Sequence, residues 1–217
     1  VYKRQHLPIA YLTGHREFWS LSLVVSEATL IPRPETEGVV ERALALMASH
    51  PCPAVADLGC GTGAIGLAVA AERPGSRVVA VDASADALSI ARRNVAACGH
   101  PMSLVRADWS SSLARGSVDF LLSNPPYVAR NDPALERGDV AFEPRMALDG
   151  GADGLDAIRR IVADTSRCVR RDGWVVLEHG WDQGPRTRAL LSQHGLRHVA
   201  TDRDAAGHDR VTYGQVP

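Results

Sequence analysis

The stretch Asp57-Leu58-Gly59-Cys60-Gly61-Thr62-Gly63 limits most sharply what this chain can fold into. A short apolar run, Val55 to Leu58, stops at glycines that alternate with small residues, and Ala64 to Glu72 then carries a helical pattern until Pro74-Gly75. That order of strand, glycine turn and helix is one step of a parallel β-α-β unit. The same step repeats downstream. Arg77 to Val81, Ser103 to Arg106, Val118 to Ser123 and Trp174 to Glu178 read as strands, and Asp82 closes the first of them. Ala85 to Cys98, Asp156 to Cys168 and Pro185 to His194 read as helices, stopped by Gly99, Gly173 and Gly195. Arg197 to Thr201 and Arg210 to Gly214 are two final strands with no helix between them, which calls for an antiparallel pair at the end of the sheet. The pattern predicts an α/β fold with a doubly wound, seven-stranded, mostly parallel, Rossmann-like sheet whose last strand is antiparallel.

Ahead of this unit the signals are shorter. Ile9 to Leu12 and Phe18 to Val25 read as extended segments around turns at Thr13-Gly14 and Ser20, a short β-hairpin segment. Val1 to Gln5 carries neither a helical nor a strand pattern, and residues 1–30 are expected to be an N-terminal hairpin and linker in front of a main domain over 31–217. In Ile31-Pro32-Arg33-Pro34-Glu35-Thr36-Glu37 the prolines exclude helix, and the acids suit the first turn of a helix that runs to about His50. A plain helix entry would explain that segment equally well.

Composition narrows the function classes. The net charge of -1 gives no basic field for nucleic acid. The four cysteines form no C-x-x-C pair and the eight histidines lack ligand spacing, so no metal site or disulfide framework is indicated. No apolar run is long enough to span a bilayer, and a cytoplasmic setting is expected.

In an open α/β sheet, ligands bind outside the carboxyl ends of the strands. Three features fall there in order. The turn Gly59-Cys60-Gly61-Thr62-Gly63 exposes backbone amides to a ligand. Asp82 follows the glycines by about the 20 residues typical of a carboxylate that binds ribose hydroxyls, although an N-cap for the next helix is the alternative. Trp109, after Asp108, offers a flat face to a nucleobase, or else is a core aromatic. Gly59-x-Gly61-x-x-Ala64 also satisfies the dinucleotide fingerprint, which makes a hydride-transfer enzyme a rival.

The fourth feature separates the two. Strand Val118 to Ser123 runs into Asn124-Pro125-Pro126-Tyr127. Each proline fixes its own φ and restrains its predecessor to extended backbone, so the loop is stiff. It offers the Asn124 oxygen and the Pro125 carbonyl as two acceptors held together, a grip for both hydrogens of a planar NH2 group, with Tyr127 as a stacking face. Hydride chemistry has no use for such a device.

With these pieces in order on one sheet, the chain resembles the class I S-adenosylmethionine methyltransferases, and within them the release-factor glutamine N5-methyltransferases, the PrmC/HemK family. The likeness runs from about Pro8 to Gly214. It rests on Ala10-Tyr11-Leu12-Thr13-Gly14, on Ile31 to Glu37, on Asp57 to Gly63 and on Ser123 to Tyr127. Gly138-Asp139-Val140, Phe142-Glu143-Pro144 and Leu177-Glu178-His179-Gly180 complete it. The resemblance implies S-adenosyl-L-methionine as cofactor, in contact with Gly59, Cys60, Gly61, Thr62, Gly63, Asp82, Trp109 and Asn124. It implies a substrate glutamine amide held by Asn124, Pro125, Pro126 and Tyr127, with Asn124, Pro125 and Tyr127 as the catalytic set. The substrate would be the Gly-Gly-Gln glutamine of class I peptide chain release factors, methylated in support of translation termination. Ile31 to Glu37 would border the pocket, and the Gly138 to Pro144 loop would flank its entrance. The family carries a helical substrate-docking domain ahead of the segment matched here, and Cys60 stands where many relatives have Thr. A monomer without direct nucleic-acid binding is expected. The same loop chemistry keeps a ribosomal-protein glutamine methyltransferase and an adenine-N6 DNA methyltransferase open, and a non-catalytic cofactor-binding module is the reading from another class.

Overall fold

A computed structural model describes residues 7–217. The expectation made for Val1 to Gln5 lies outside them.

The strands are β1 (His15–Phe18), β2 (Leu21–Val24), β3 (Ala54–Leu58), β4 (Arg77–Asp82), β5 (Ser103–Arg106), β6 (Val118–Ser123), β7 (Val169–Glu178), β8 (Arg197–Arg203) and β9 (Asp209–Gln215). The helices are α1 (Ile9–Thr13), α2 (Glu37–Leu46), α3 (Ala64–Glu72), α4 (Ala85–Cys98), α5 (Asp156–Cys168) and α6 (Gly184–Gln193). Strands β3 to β9 form one sheet in the order β5-β4-β3-β6-β7-β9-β8. All neighbours pair in parallel except β9, which slots antiparallel between β7 and β8. The seven-stranded sheet and its antiparallel last strand are as the sequence pattern requires.

Both faces of the sheet are covered, and the central strands are largely apolar, Asp57, Asp119 and Ser123 excepted. All five residues of β3 are buried. Phe120 and Leu122 of β6 pack with Val39, Val40, Ile65 and Leu67 of α2 and α3 on one face. Leu121 between them joins Ile158 and Ile161 of α5 on the other. A strand flanked by helices on both sides is near-continuously apolar, which is why these runs show no alternation.

Two local expectations are corrected. Ile9 to Leu12 is not extended but forms α1. Pro8 opens the helix, and Gly14, at φ 75°, closes it with its N–H bonded to the Ala10 carbonyl. Ile9 and Leu12 stay exposed, so their apolar character marks no buried face and carried no usable periodicity. Gly173 does not end α5. The helix stops at Cys168 and β7 begins at Val169, with an irregular register against Val118 and Phe120. Gly173 sits inside the strand because a Cβ there would lie 2.5 Å from the Asp119 carbonyl oxygen. The glycine serves close approach of two backbones at a bulge.

The hairpin β1–β2 turns through Trp19 and Ser20, both at positive φ, the backbone of a two-residue primed turn. It is tied to the domain rather than hanging from it. The Trp19 amide donates to Glu37 Oε1 at 3.0 Å. Asn94 on α4 accepts from the Val24 amide at 2.7 Å and donates to the Val24 carbonyl at 3.0 Å and the Thr62 carbonyl at 2.9 Å. One buried amide thus joins the hairpin, α4 and the glycine turn.

Candidate active site

The sheet order reverses at β3. β4 and β5 lie to one side of it, β6 and β7 to the other, so the crevice between the β3 and β6 ends is the switch point where open α/β sheets hold ligands. The Ser123 hydroxyl donates to the Leu58 carbonyl at 2.7 Å and locks the two strand ends together. A cavity of about 390 Å³ opens there, lined by Gly59, Cys60, Gly61, Thr62, Asp82, Trp109, Asn124 and Pro126 among others.

The glycine turn is built from the sheet. The Gly59 and Cys60 amides both donate to the Val81 carbonyl, at 2.8 and 3.1 Å. The Gly61 amide donates to Asp82 Oδ2 at 2.9 Å, and the Ser84 amide to Asp82 Oδ1, also at 2.9 Å. Asp82 is therefore not the N-cap of α4. Ser84 is, accepting from the Ala87 amide. The carboxylate stands on the cavity wall with both oxygens oriented and lone pairs to spare. Gly61 has φ 54° and a Cβ there would meet nothing within 4 Å, so bare backbone faces open space. At Gly59 a Cβ would come within 3.3 Å of the Trp109 ring. Trp109 thus lies over the first glycine and lines the cavity while also packing against the core of the α5 face. Both readings of that residue hold at once. Gly63 turns away from the cavity and starts α3, where a Cβ would be 2.9 Å from Met102.

Beneath the turn, Asp57 Oδ2 accepts the Gly66 amide at 3.0 Å. Its other oxygen is buried without a partner among the described residues. Burial pushes the Asp57 carboxyl up to about 7, against the pull of the Gly66 amide, and the charge of Asp82 adds to the rise. Burial likewise holds the Cys60 thiol well above its ordinary range, so it stays neutral and the residue serves through its backbone.

The Asn-Pro-Pro-Tyr loop is held from three sides. Asn124 Nδ2 donates to Thr36 Oγ1 at 3.0 Å, across from the helix-entry motif. The Tyr127 hydroxyl donates to Glu178 Oε1 at 3.1 Å at the end of β7. Gln183 Nε2 donates to the Tyr127 carbonyl at 2.9 Å, while Gln183 Oε1 accepts the Gly180 amide. The loop after it returns close by. A Cβ at Gly154 would sit 2.4 Å from the Tyr127 carbonyl oxygen, so only glycine passes there. Among the described residues nothing donates to Asn124 Oδ1 or to the Pro125 carbonyl.

Asn124 and Pro126 line the cavity. Pro125 is buried behind them, and Tyr127 leans back onto Glu178 rather than lining the wall. Burial, then the charge of Glu178, holds the Tyr127 phenol far above its ordinary range. Glu178 is 1% exposed. Burial pushes its carboxyl up to about 7, offset in part by the nearby Thr36 and Tyr127 hydroxyls and by the charge of Arg210.

The mouth is stapled by an ion pair. Arg33 Nη2 meets Glu143 Oε2 at 2.7 Å, and Glu143 Oε1 accepts the Ile31 amide at 3.3 Å. This joins Ile31 to Glu37 with the end of the Gly138 to Pro144 loop, and Pro32, Thr36 and Pro144 line the cavity. Both segments lie where the resemblance puts them. Thr36 and Glu178 had no assigned role in the sequence reading. Both stand inside motifs that the resemblance picks out, but only the fold brings them to Asn124 and Tyr127.

The donor and acceptor set fits a nucleoside-bearing sulfonium cofactor: open backbone at Gly61, an oriented carboxylate at Asp82 and a flat ring at Trp109. No group of three or more His, Cys, Asp or Glu among the described residues could hold a metal, and no helix there is long and apolar enough to cross a membrane.

The methyltransferase small domain model matches residues 42–139. The release factor glutamine methyltransferase of Xylella fastidiosa is 50% identical over 212 residues, covering 97% of this chain and 77% of that protein. The proteins of the same name from Escherichia coli and Pseudomonas aeruginosa are 45% and 47% identical, each over 98% of this chain and 77% of their own length. Among solved structures, the hMettl16 catalytic domain is similar with a TM-score of 0.71 at 18% identity, covering 92% of this chain and 79% of that one. A methyltransferase from Pyrococcus furiosus follows at 0.65 and 14%, covering 90% and 88%. The structures support the fold alone; the sequence relatives support more, and by them the chain belongs to the release factor glutamine methyltransferase family.

Proposed function

We propose that the chain transfers a methyl group from S-adenosyl-L-methionine to the side-chain amide nitrogen of the glutamine in the Gly-Gly-Gln motif of class I peptide chain release factors. The observation that carries this reading is the pair of acceptors with no donor among the described residues, Asn124 Oδ1 and the Pro125 carbonyl, on a stiff loop whose Asn124 and Pro126 line the cavity together with the glycine turn. A primary amide presents two hydrogens in one plane, and two fixed acceptors match them. Relatives at 45–50% identity named as release factor glutamine methyltransferases support the choice of substrate. The net charge of -1 supports a protein over a nucleic acid. The proposal takes the chain as a cytoplasmic monomer, with residues 31–217 carrying the chemistry.

The cofactor supplies a methyl group already activated on a sulfonium. What remains is work for the chain's own residues. Asp82, the Gly59 to Gly63 turn and Trp109 hold the nucleoside. Asn124 and Pro125 hold the amide, whose nitrogen is a weak nucleophile because its lone pair is shared with the carbonyl. Orientation of two reactants accounts for much of a barrier of this type. As positive charge grows on the nitrogen, its hydrogens become better donors, and the two acceptors bind that state more tightly than the ground state. Tyr127, tethered to Glu178, fixes the far end of the loop.

The test is methyl transfer from labelled S-adenosylmethionine to an unmodified release factor, with peptide mass spectrometry to place the methyl group. A methyl on the Gly-Gly-Gln glutamine is the expected result. Transfer to ribosomal proteins or duplex DNA in parallel reactions, with none to the release factor, would replace the proposed substrate.

A further inference from the structure

Gln183 stands buried at the entry of α6, and its carboxamide makes three hydrogen bonds, all to backbone. Oε1 accepts the Gly180 amide at 2.9 Å. Nε2 donates to the Tyr127 carbonyl at 2.9 Å and to the Gly154 carbonyl at 3.3 Å. A peptide N–H only donates and a carbonyl only accepts, so these partners admit one orientation of the amide. Rotated by half a turn, it would set its NH2 against an N–H and its oxygen against two carbonyls. Gly180 is held in turn. Its carbonyl accepts from His179 Nδ1 at 2.8 Å, and His179, itself fully buried, reaches Thr212 Oγ1 through Nε2, also at 2.8 Å.

The three partners belong to three segments. Tyr127 ends the Asn-Pro-Pro-Tyr loop, Gly154 lies in the stretch that returns over it, and Gly180 follows β7. Val128 ties the first two to each other: its amide donates to the Leu148 carbonyl at 3.0 Å, and its carbonyl accepts from the Gly150 amide at 2.8 Å. Gln183 joins that pair to the turn after β7. The prolines make the loop a stiff unit. Its start is fixed at the end of β6, where Ser123 bonds the Leu58 carbonyl. A stiff unit freed at its far end pivots about the fixed one, and the Asn124 oxygen and the Pro125 carbonyl would move together.

We propose that Gln183 is a positioning residue that clamps the far end of the Asn-Pro-Pro-Tyr loop to the turn after β7 and so holds the two acceptors in place. The inference rests on the proposed function in one respect, that these acceptors grip the substrate amide.

The test combines hydrogen exchange with kinetics on the full chain. In the parent, the side-chain NH2 pair of Gln183, identified by its loss in Gln183→Met, should exchange slower by roughly tenfold or more than an exposed Gln. In Gln183→Met, which keeps the length and removes all three bonds, the Gly180 amide should exchange faster by about tenfold or more. Its kcat for methyl transfer should fall by about 10- to 100-fold, as for a misplaced reacting group. The dissociation constant for S-adenosylhomocysteine should stay within about threefold, because the glycine turn and Asp82 are untouched. Gln183→Glu adds a pH readout. A protonated carboxyl still donates to the Tyr127 carbonyl, whereas an ionised one only accepts. Its kcat relative to the parent should therefore fall by at least about threefold from about pH 6.5 to about pH 8.5, since burial raises a carboxyl into that window. The ratio removes titrations that the two chains share. Four results would each overturn the inference: kcat within about threefold of the parent in Gln183→Met, cofactor affinity lost in step with kcat, a flat ratio in Gln183→Glu, or failure of both variants to fold. The exchange measurements need no substrate. Slow exchange without transfer to a release factor would sink the proposed function and leave the clamp, whereas fast exchange of the NH2 pair with normal transfer would sink the clamp alone.

Discussion

Asn124 and Asp82 divide the chemistry between them, and substitutions should separate the two. Asn124 gives its oxygen to the substrate side and its NH2 to Thr36, so Asn124→Ala removes a contact that strengthens as charge develops. We expect kcat to fall by about 100-fold or more, the scale of losing one such preorganised partner. The dissociation constant for S-adenosylhomocysteine, measured by calorimetry, should stay within about threefold, since Asn124 is only one of many cofactor contacts. Asp82→Ala should do the reverse. It removes the acceptor for the Gly61 and Ser84 amides together with the charged partner for ribose hydroxyls. Charged hydrogen bonds contribute about 1.5–3 kcal/mol, so S-adenosylhomocysteine affinity should drop about 10- to 100-fold, with much of kcat recovered at saturating cofactor. Equal loss of kcat and affinity in both variants would deny this division. Asp82 was legible in the sequence because strand ends and glycine spacing locate it. Thr36 and Glu178 were not, since their partners lie 88 and 51 residues away and nothing in a linear pattern records which side chains a sheet brings together.

The elements around the cavity are ordered unequally. The glycine turn rests on β4 backbone, whereas the entrance depends on one ion pair, Arg33 with Glu143. The Glu143 side chain is wholly enclosed while Arg33 is partly exposed, and the charge of Arg33 offsets the burial that raises the Glu143 carboxyl. Arg33→Ala leaves that carboxylate facing a buried site with only the Ile31 amide. Stability should fall by about 1–3 kcal/mol, the cost of a stranded polar group, and amide exchange should rise in 138–144 and 29–33 while β3 and β6 stay protected. Uniform exchange throughout would mean that the pair does not hold the entrance. At this scale the sequence was informative wherever an element was long and punctuated. The run from β3 to β6 emerges from glycines, prolines and apolar blocks. The failures, α1 and the start of β7, fall where four residues or one glycine had to decide. Ile9 and Leu12 are exposed, and Gly173 answers to the Asp119 backbone, a neighbour 54 positions earlier in the chain.

Among the described residues, besides Glu143, Asp57 at the end of β3 and Glu178 at the end of β7 are enclosed carboxyls, each pushed by burial up to about 7 from ordinary values of 3.8 and 4.5. Both serve the site, one under the glycine turn and one behind the Asn-Pro-Pro-Tyr loop, so the pocket is bought with charge held in apolar surroundings. The sign of the consequence follows from proton counting. Between the ordinary and the folded values, the folded chain binds more protons than the unfolded chain, so stability falls as pH rises through this window and levels off above about 7. Glu178 faces Thr36, Tyr127, Arg210 and Glu35, and only the first three soften the effect. Glu178→Gln removes its titration while keeping an acceptor for Tyr127. The stability difference between variant and parent, from urea melts, should therefore shift in favour of the variant by about 2–3 kcal/mol between pH 5 and pH 8, from one pKa unit being worth about 1.4 kcal/mol. Comparing the two pH values cancels whatever the amide changes in local contacts. An unchanged difference would mean that Glu178 titrates alike in the folded and unfolded chain, and the enclosed carboxylate would then lose its place as the anchor of the loop.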